Sequence, residues 1–407
     1  MGDAPSTTRA PSTGRRALFT ALRLSVALLI LYWVGRNLPW KDELTFADGQ
    51  GHELVASGRI DGDWKSERVR FFPADPAELD ARWPLGAREP VSRGEPVTAS
   101  RRGEHEKTGF DWHPGMPRAF REMDTSLLLL AEGLFLLSNL TIVTRWWRLL
   151  ANAGCPTSWW NALRLTFLGL FFNNVMPGAT GGDLVKGVAV ARENPGRGAE
   201  ALVTVLVDRI FGMLALALLA LVVILAWPHE SFETLRKGLL VGLGICAVGG
   251  VLYSSKSFRK KVGLSALVSR LPIGDKLRSL DRAALLYLKQ PGALAVAALF
   301  SVLNHVLVTL GVYVLGLALG VPESHVSMLN YFVIVPVANL ISALPLAPGG
   351  WGVGELAFRS LFQMVGASPA MGVAVSVTFR LSQLVIGLFG GITLLLPITR
   401  SELPPKG

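Results

Sequence analysis

Predominantly apolar runs of roughly twenty residues recur along the chain, and nothing else in it restricts the fold as strongly. A run of that length crosses the ~30 Å hydrocarbon core of a bilayer as one helix. A helix is required because backbone polar groups in lipid have no water to bond and must be satisfied within the segment. Such runs occupy residues 17–35 (ALFTALRLSVALLILYWVG), 126–144, 202–227, 238–253, 293–319 and 371–396. Half of the 407 residues are hydrophobic. The expectation is an all-α polytopic membrane protein. The first run follows Arg15 and Arg16 and has no small-residue cleavage site behind it, so it reads as a retained helix, not a removed signal peptide.

A net charge of +10 could indicate nucleic acid, but its distribution argues otherwise. Between Lys41 and Asp124 there are 13 Lys/Arg and 17 Asp/Glu, which leaves 27 and 13 elsewhere. The basic excess therefore belongs to the membrane portion. Nine basic residues fall between Lys256 and Lys289 against two acidic ones, the bias expected of a cytoplasmic loop beside anionic lipid. No nucleic-acid partner is expected. Two cysteines, Cys155 and Cys246, far apart beside apolar segments, indicate neither a disulfide framework nor a metal site.

The predicted organisation is a disordered cytoplasmic tail (1–16), a first transmembrane helix (17–36), a soluble extracytoplasmic insert (41–122), a transmembrane domain (126–397) and a C-terminal tail (398–407). Both termini are expected in the cytoplasm and the protein in the cell (inner) membrane. LTFADGQGHELVASGRI contains two β-prone runs around a glycine-containing turn, so the insert is expected to contain β-structure. His52, His105 and His113 lack metal-ligand spacing and read as surface histidines. Arg145, Trp146, Trp147 and Arg148, closing the second run, read as an interface anchor.

Within the membrane portion, FFNNVMPGATGGDLVKG breaks an apolar segment with backbone too irregular to face lipid. A counterpart exists in PLAPGGWGVGE. Pro177 precedes Gly181 and Gly182 by four and five residues, and Pro345 precedes Gly349 and Gly350 at the same spacing. Asp183 and Glu355 follow, and each break leads into a long helix with an arginine, Arg209 or Arg380. Similar breaks in corresponding halves of a membrane protein point to paired discontinuous helices around a site. By the count of crossings, the first hairpin (159–191) enters from the cytoplasm and the second (328–365) from outside, so the expected architecture is an inverted repeat of two re-entrant hairpins.

Other polar residues interrupt apolar segments: Asn173, Asn174, Lys186, Asp208, Asn304, His305, Asn339 and Gln383. A charge at the bilayer centre costs roughly 2.5–3.5 kcal/mol on insertion scales, so such groups face protein or a wet pathway. Arg209 and Arg380 suit a phosphate, because guanidinium stays charged and binds its oxygens bidentately. Each also has a plainer reading: Arg209, near the start of its helix, could snorkel or pair locally, and His305 and Glu132 could serve as interhelical hydrogen-bonding groups. GATGGD lacks the GKS/T ending of a phosphate-binding loop.

FFNNVMPGATGGDLVKG, AEALVTVLVDRIFGMLAL, NLISALPLAPGGWGVGELAF and VTFRLSQLVIGLFGG together resemble the lysylphosphatidylglycerol synthase transmembrane region, a family of flippase-like, uncharacterised integral membrane proteins. The resemblance covers about residues 126–397. It implies an all-helical membrane fold with re-entrant elements and lipid translocation as the activity. It also implies Asn174, Pro177, Gly181, Gly182, Asp183, Arg209, Pro345, Gly349, Gly350, Gly354, Glu355 and Arg380 as cavity residues, to which the polar pattern adds Lys186, Asp208, Asn339 and Gln383. Two departures stand out. The family's two-domain synthases carry a soluble catalytic domain after the membrane part, whereas this sequence closes at SELPPKG, so aminoacyl transfer is not expected. The insert is also unlike the usual short first loop.

The function expected is a non-ATPase transporter that moves an amphipathic lipid, anionic or glycosylated, between leaflets, with membrane lipids as partners and no cofactor, metal or catalytic residue. The insert is expected to cover the outer mouth or bind an envelope protein. Two alternatives stay open: an enzyme acting on a lipid-linked substrate with Asp183 or Glu355 as base, and a non-transporting lipid-binding partner subunit.

Overall fold

The computed structural model describes residues 32, 40–47, 53–64, 66–75, 95–100, 110–175, 181–255, 257–258, 274–344 and 351–392. The segment LTFADGQGHELVASGRI folds as two antiparallel strands, β1 (Asp42–Ala47) and β2 (Glu53–Asp61). With β3 (Arg68–Pro73), β4 (Val97–Ser100) and β5 (Phe110–His113) they form an antiparallel sheet in the order β4-β3-β2-β1-β5. Strand alternation sends Leu44, Ile60, Val69, Phe71, Val97 and Trp112 into one buried cluster with Trp64. Asp42 locks the sheet to the start of the helical region: Oδ2 accepts from the Ile60 amide at 2.8 Å and Oδ1 from the Gly115 amide at 2.7 Å, with Arg118 Nη1 at 3.3 Å. His113, read from sequence as a surface residue, is buried in β5 opposite Glu43. Its exposure was decided by a strand register that residue type does not encode.

The rest is helical. After α1 (Met116–Arg121), Asp124 caps α2 (Thr125–Asn152), accepting from the amides of Ser126 and Leu127. Then come α3 (Trp159–Val175), α4 (Gly181–Glu193), α5 (Gly198–Ala226), α6 (Glu233–Ser254), α7 (Gly274–Leu288), α8 (Pro291–Ala318), α9 (Met328–Ser342), α10 (Val353–Met364) and α11 (Pro369–Ile392). Among the described residues, five helical segments are long and apolar enough to cross a membrane: Thr125–Asn152, Gly198–Ala226, Glu230–Ser254, Pro291–Ala318 and Pro369–Gly390. At 1.5 Å per residue, α2 and α8 are each about 42 Å long, ample for the ~30 Å core. Their outward sides carry exposed Leu129, Leu137, Leu299 and Val302, as a lipid-facing surface would. The apolar run at 17–35, apart from Tyr32, lies outside the described residues.

Helices α2 and α8 lie antiparallel and in close contact, Gly311 receiving the Phe135 ring and the Asp124 amide bonding the Ala318 carbonyl at 3.1 Å. Besides α1 and the 15-residue α7, four helices are short: α3, α4, α9 and α10 span about 26, 20, 22 and 18 Å. They pack as two successive pairs, α3 with α4 and α9 with α10. In the first pair the Gly182 backbone rests against the Gly169 carbonyl, a separation only glycine permits, and Asn173 Oδ1 accepts from the Gly182 amide at 2.9 Å. The first pair packs onto α5 and α11, and the second onto α5, α8 and α11.

Candidate functional site

Two clusters of charge, buried or partly buried, are built from the short pairs and the long helices beside them. Asp183 is the third residue of α4 and Glu355 the third of α10. Each carboxylate meets the Nε of an arginine on the next long helix: Asp183 Oδ2 is 2.5 Å from Arg209 on α5, and Glu355 Oε1 is 2.6 Å from Arg380 on α11. Position in the first helical turn also places each acid at the positive end of its helix dipole. The same acid–arginine contact is thus made twice, each time from the third residue of a short helix.

In the first cluster Lys186, one turn beyond Asp183, is 3 % exposed. Its Nζ lies 3.8 Å from Asp183 Oδ1, 3.5 Å from Asp208 Oδ2 and 4.3 Å from the centre of the Trp146 ring. Asp208 is buried too, and its Oδ1 is 2.7 Å from Arg145 Nε. Arg145 Nη1 donates to Ser301 Oγ at 2.6 Å. Among the described residues three cations thus face two carboxylates, one positive charge in excess. Trp146 is held by its own bond from Nε1 to Thr204 Oγ1 at 3.1 Å. On α8, His305 Nε2 meets the Gly212 carbonyl of α5 at 3.0 Å, an interhelical hydrogen bond.

The second cluster is smaller and nearly self-neutralised. Glu355, 1 % exposed, accepts from the Gly352 amide through Oε2 at 2.5 Å while Oε1 holds Arg380. Gly352 takes a φ of 81°, a conformation natural to glycine, so the loop can turn sharply into α10. Arg380 Nη2 donates to Ser342 Oγ at 3.3 Å, and its guanidinium lies 5.5 Å from the Trp351 ring centre. The same group lies over Gly354, where any Cβ would overlap it. Beside this assembly is a cavity of about 220 Å³ lined by Asn339, Ser342, Trp351, Ser376, Arg380 and Gln383, with Phe358 and Phe379 among its apolar walls.

Of the residues singled out in the sequence, Asp183, Lys186, Asp208 and Arg209 meet in the first cluster, and Asn339, Gly354, Glu355, Arg380 and Gln383 in or beside the second. Gly181 opens α4 and Gly182 forms the α3–α4 contact. Pro177, Pro345, Gly349, Gly350 and the side chain of Asn174 lie outside the described residues. Among the described residues no group of three His, Cys, Asp or Glu could hold a metal.

Arg145 and Trp146 correct the sequence reading. They do not anchor an interface; they are 5 % and 0 % exposed and complete the first cluster. The signal that could have found Arg145 is its phase: Ser138, Thr141 and Arg145 recur at helical spacing and all are buried, a polar stripe on an otherwise apolar helix.

Five apolar spans around two ion-pair clusters define a multi-pass helical membrane protein. Residues 109–391 match the lysylphosphatidylglycerol synthase TM region, and the chain belongs to that family. It is also similar to a UPF0104 membrane protein of Pyrococcus horikoshii, 26 % identical over 314 residues that make up 70 % of this chain and 92 % of that one. A UPF0104 membrane protein of Methanothermobacter thermautotrophicus is 26 % identical over 276 residues, 61 % of this chain and 78 % of its own. No solved structure matches.

Proposed function

We propose that the protein moves an amphipathic lipid with an anionic or glycosylated head group between the leaflets of the cell membrane. The observation that carries this reading is the duplicated pair, Asp183–Arg209, partly buried, and Glu355–Arg380, its carboxylate buried, each where a short helix begins after a Pro/Gly break. Charges that cost energy within a bilayer are retained where they serve a polar pathway. Each of the short helices α3, α4, α9 and α10 falls below the ~30 Å needed to cross the core alone. This favours two re-entrant hairpins, the first entering from the cytoplasm and the second from outside, as an inverted repeat with both termini cytoplasmic. The basic stretch before α8 supports that orientation.

In this mechanism the head group enters between the hairpins and contacts Arg209 and Arg380, while the acyl chains stay in the bilayer. Asp183 and Glu355 hold the arginines in place when no head group is present. Because each arginine is satisfied by a carboxylate, a head group must compete with that carboxylate. Binding is therefore exchange of partners, not capture by a bare charge, which suits a site that must also release.

The test is a leaflet-translocation assay on purified protein in liposomes, with fluorescent phospholipids and a polyprenyl-phosphate lipid. Wild-type protein is expected to move at least one lipid class, and Arg380→Ala and Glu355→Gln to lose that movement while remaining folded. Well-folded wild-type protein that moves none of them sinks the proposal.

A further inference from the structure

The cavity beside Arg380 has a chemistry narrower than a lipid head group in general. Arg380, the charged residue of its lining, is already engaged, the guanidinium by Glu355 at 2.6 Å and that carboxylate in turn by the Gly352 amide. The pair presents no net charge to the space. Among the described residues the remaining polar lining is neutral: Asn339, Ser342, Ser376 and Gln383. Ser376 is 1 % exposed, and its buried hydroxyl has no hydrogen-bond partner among the described residues. That oxygen is enclosed by protein, so it lies behind the cavity wall and is not open to the space. Trp351 adds a flat aromatic wall.

Hydroxyl and amide side chains both donate and accept. Their natural counterpart is a group that also does both at every position, as the hydroxyls of a sugar or polyol do, while its C–H faces pack on an aromatic ring. A phosphate only accepts, and is best served by cations free of competing carboxylates. We infer that this cavity takes an uncharged, hydroxyl-rich moiety, a single sugar or a polyol, packed against Trp351 and hydrogen-bonded to Asn339 and Gln383. The cavity has a volume of about 220 Å³. The inference rests on the translocation reading only in taking the moiety to be carried by a lipid.

The experiment measures binding to the purified full chain in detergent, so that it does not depend on transport. The probes are monogalactosyl diacylglycerol, diacylglycerol, phosphatidic acid and free galactose, added separately and followed by the shift in melting temperature and by native mass spectrometry. The galactolipid is expected to bind at least tenfold more tightly than diacylglycerol or phosphatidic acid. Asn339→Leu and Trp351→Leu are expected to erase that preference, with Trp351→Phe retaining it. Equal affinity for phosphatidic acid, binding of no probe (a cavity holding water alone), or a preference unchanged in both variants overturns the assignment. Free galactose binding as tightly as the galactolipid overturns its lipid part. Liposomes that show no lipid movement, alongside a retained galactolipid preference, defeat the translocation reading and support the cavity assignment.

Discussion

Arg145 Nε lies 2.7 Å from Asp208 Oδ1, a buried ion pair that ties α2 to α5 at the point where Lys186 reaches in from α4. Three helices converge there, and removing one partner leaves a charge stranded in a medium that solvates it poorly. Breaking such a pair typically costs about 3–5 kcal/mol, whereas replacing both partners by apolar groups costs far less. Arg145→Met and Asp208→Leu are each expected to lower the melting temperature in detergent sharply, and the double variant by less than the sum of the two. Additive losses would show the two residues to be energetically independent.

Gly354 lies beneath the Arg380 guanidinium. A methyl group there must push the guanidinium off Glu355 and out of line with Ser342. Gly354→Ala is expected to cost about 1–3 kcal/mol of stability, the usual range for overpacking, and to reduce lipid movement as Arg380→Ala does. Melting curves and the liposome assay on the same preparation check both, and a variant with wild-type transport would remove the guanidinium's position from the mechanism.

Gly182 faces the Gly169 carbonyl, which is backbone and cannot swing aside as a flexible side chain can. Gly182→Ala is therefore expected to separate α3 from α4, lowering the melting temperature and weakening the bond from the Gly182 amide to Asn173. Gly133, which has open space around its Cβ position, provides the control: Gly133→Ala is expected to be neutral or slightly stabilising, as alanine is the better helix former.

Glu43, on the sheet, has its carboxyl held above the ordinary value of 4.5 by burial, partly offset by His113 and Arg359. The folded state therefore binds this proton more tightly than the unfolded chain. Its stabilising contribution is complete below pH 4.5 and is lost as pH rises through the higher folded-state value. Glu43→Gln is expected to raise the melting temperature at pH 7, with the advantage disappearing toward pH 4. An equal effect at both pH values would exclude a titration origin.

Much of the architecture was legible because the bilayer imposes a simple rule. The runs at 126–144, 202–227, 293–319 and 371–396 had to become helices, since no other local structure satisfies its own backbone in lipid, and helices long enough to cross are found at all four. The doublet of Pro/Gly breaks stands in the sequence, but residues 176–180 and 345–350 lie outside the described residues. Asp183, Glu355, Arg209 and Arg380 could be selected because charge in an apolar run is expensive wherever it falls.

Which charges pair with which was not legible, because helix packing sets distances between residues far apart in the chain. Sequence assigned Arg145 to an interface by its position at the end of an apolar run; the rotation of α2 against α5 and α8 turned it inward to Asp208 and Ser301. The same holds for the cavity, whose wall joins Asn339 on α9, Trp351 before α10 and Ser376 on α11. Local chemistry determined that this chain forms membrane helices carrying buried charge. Only tertiary packing decided that the charge is gathered into two compact clusters, one of which leaves a small, neutral, hydrogen-bonding space beside it.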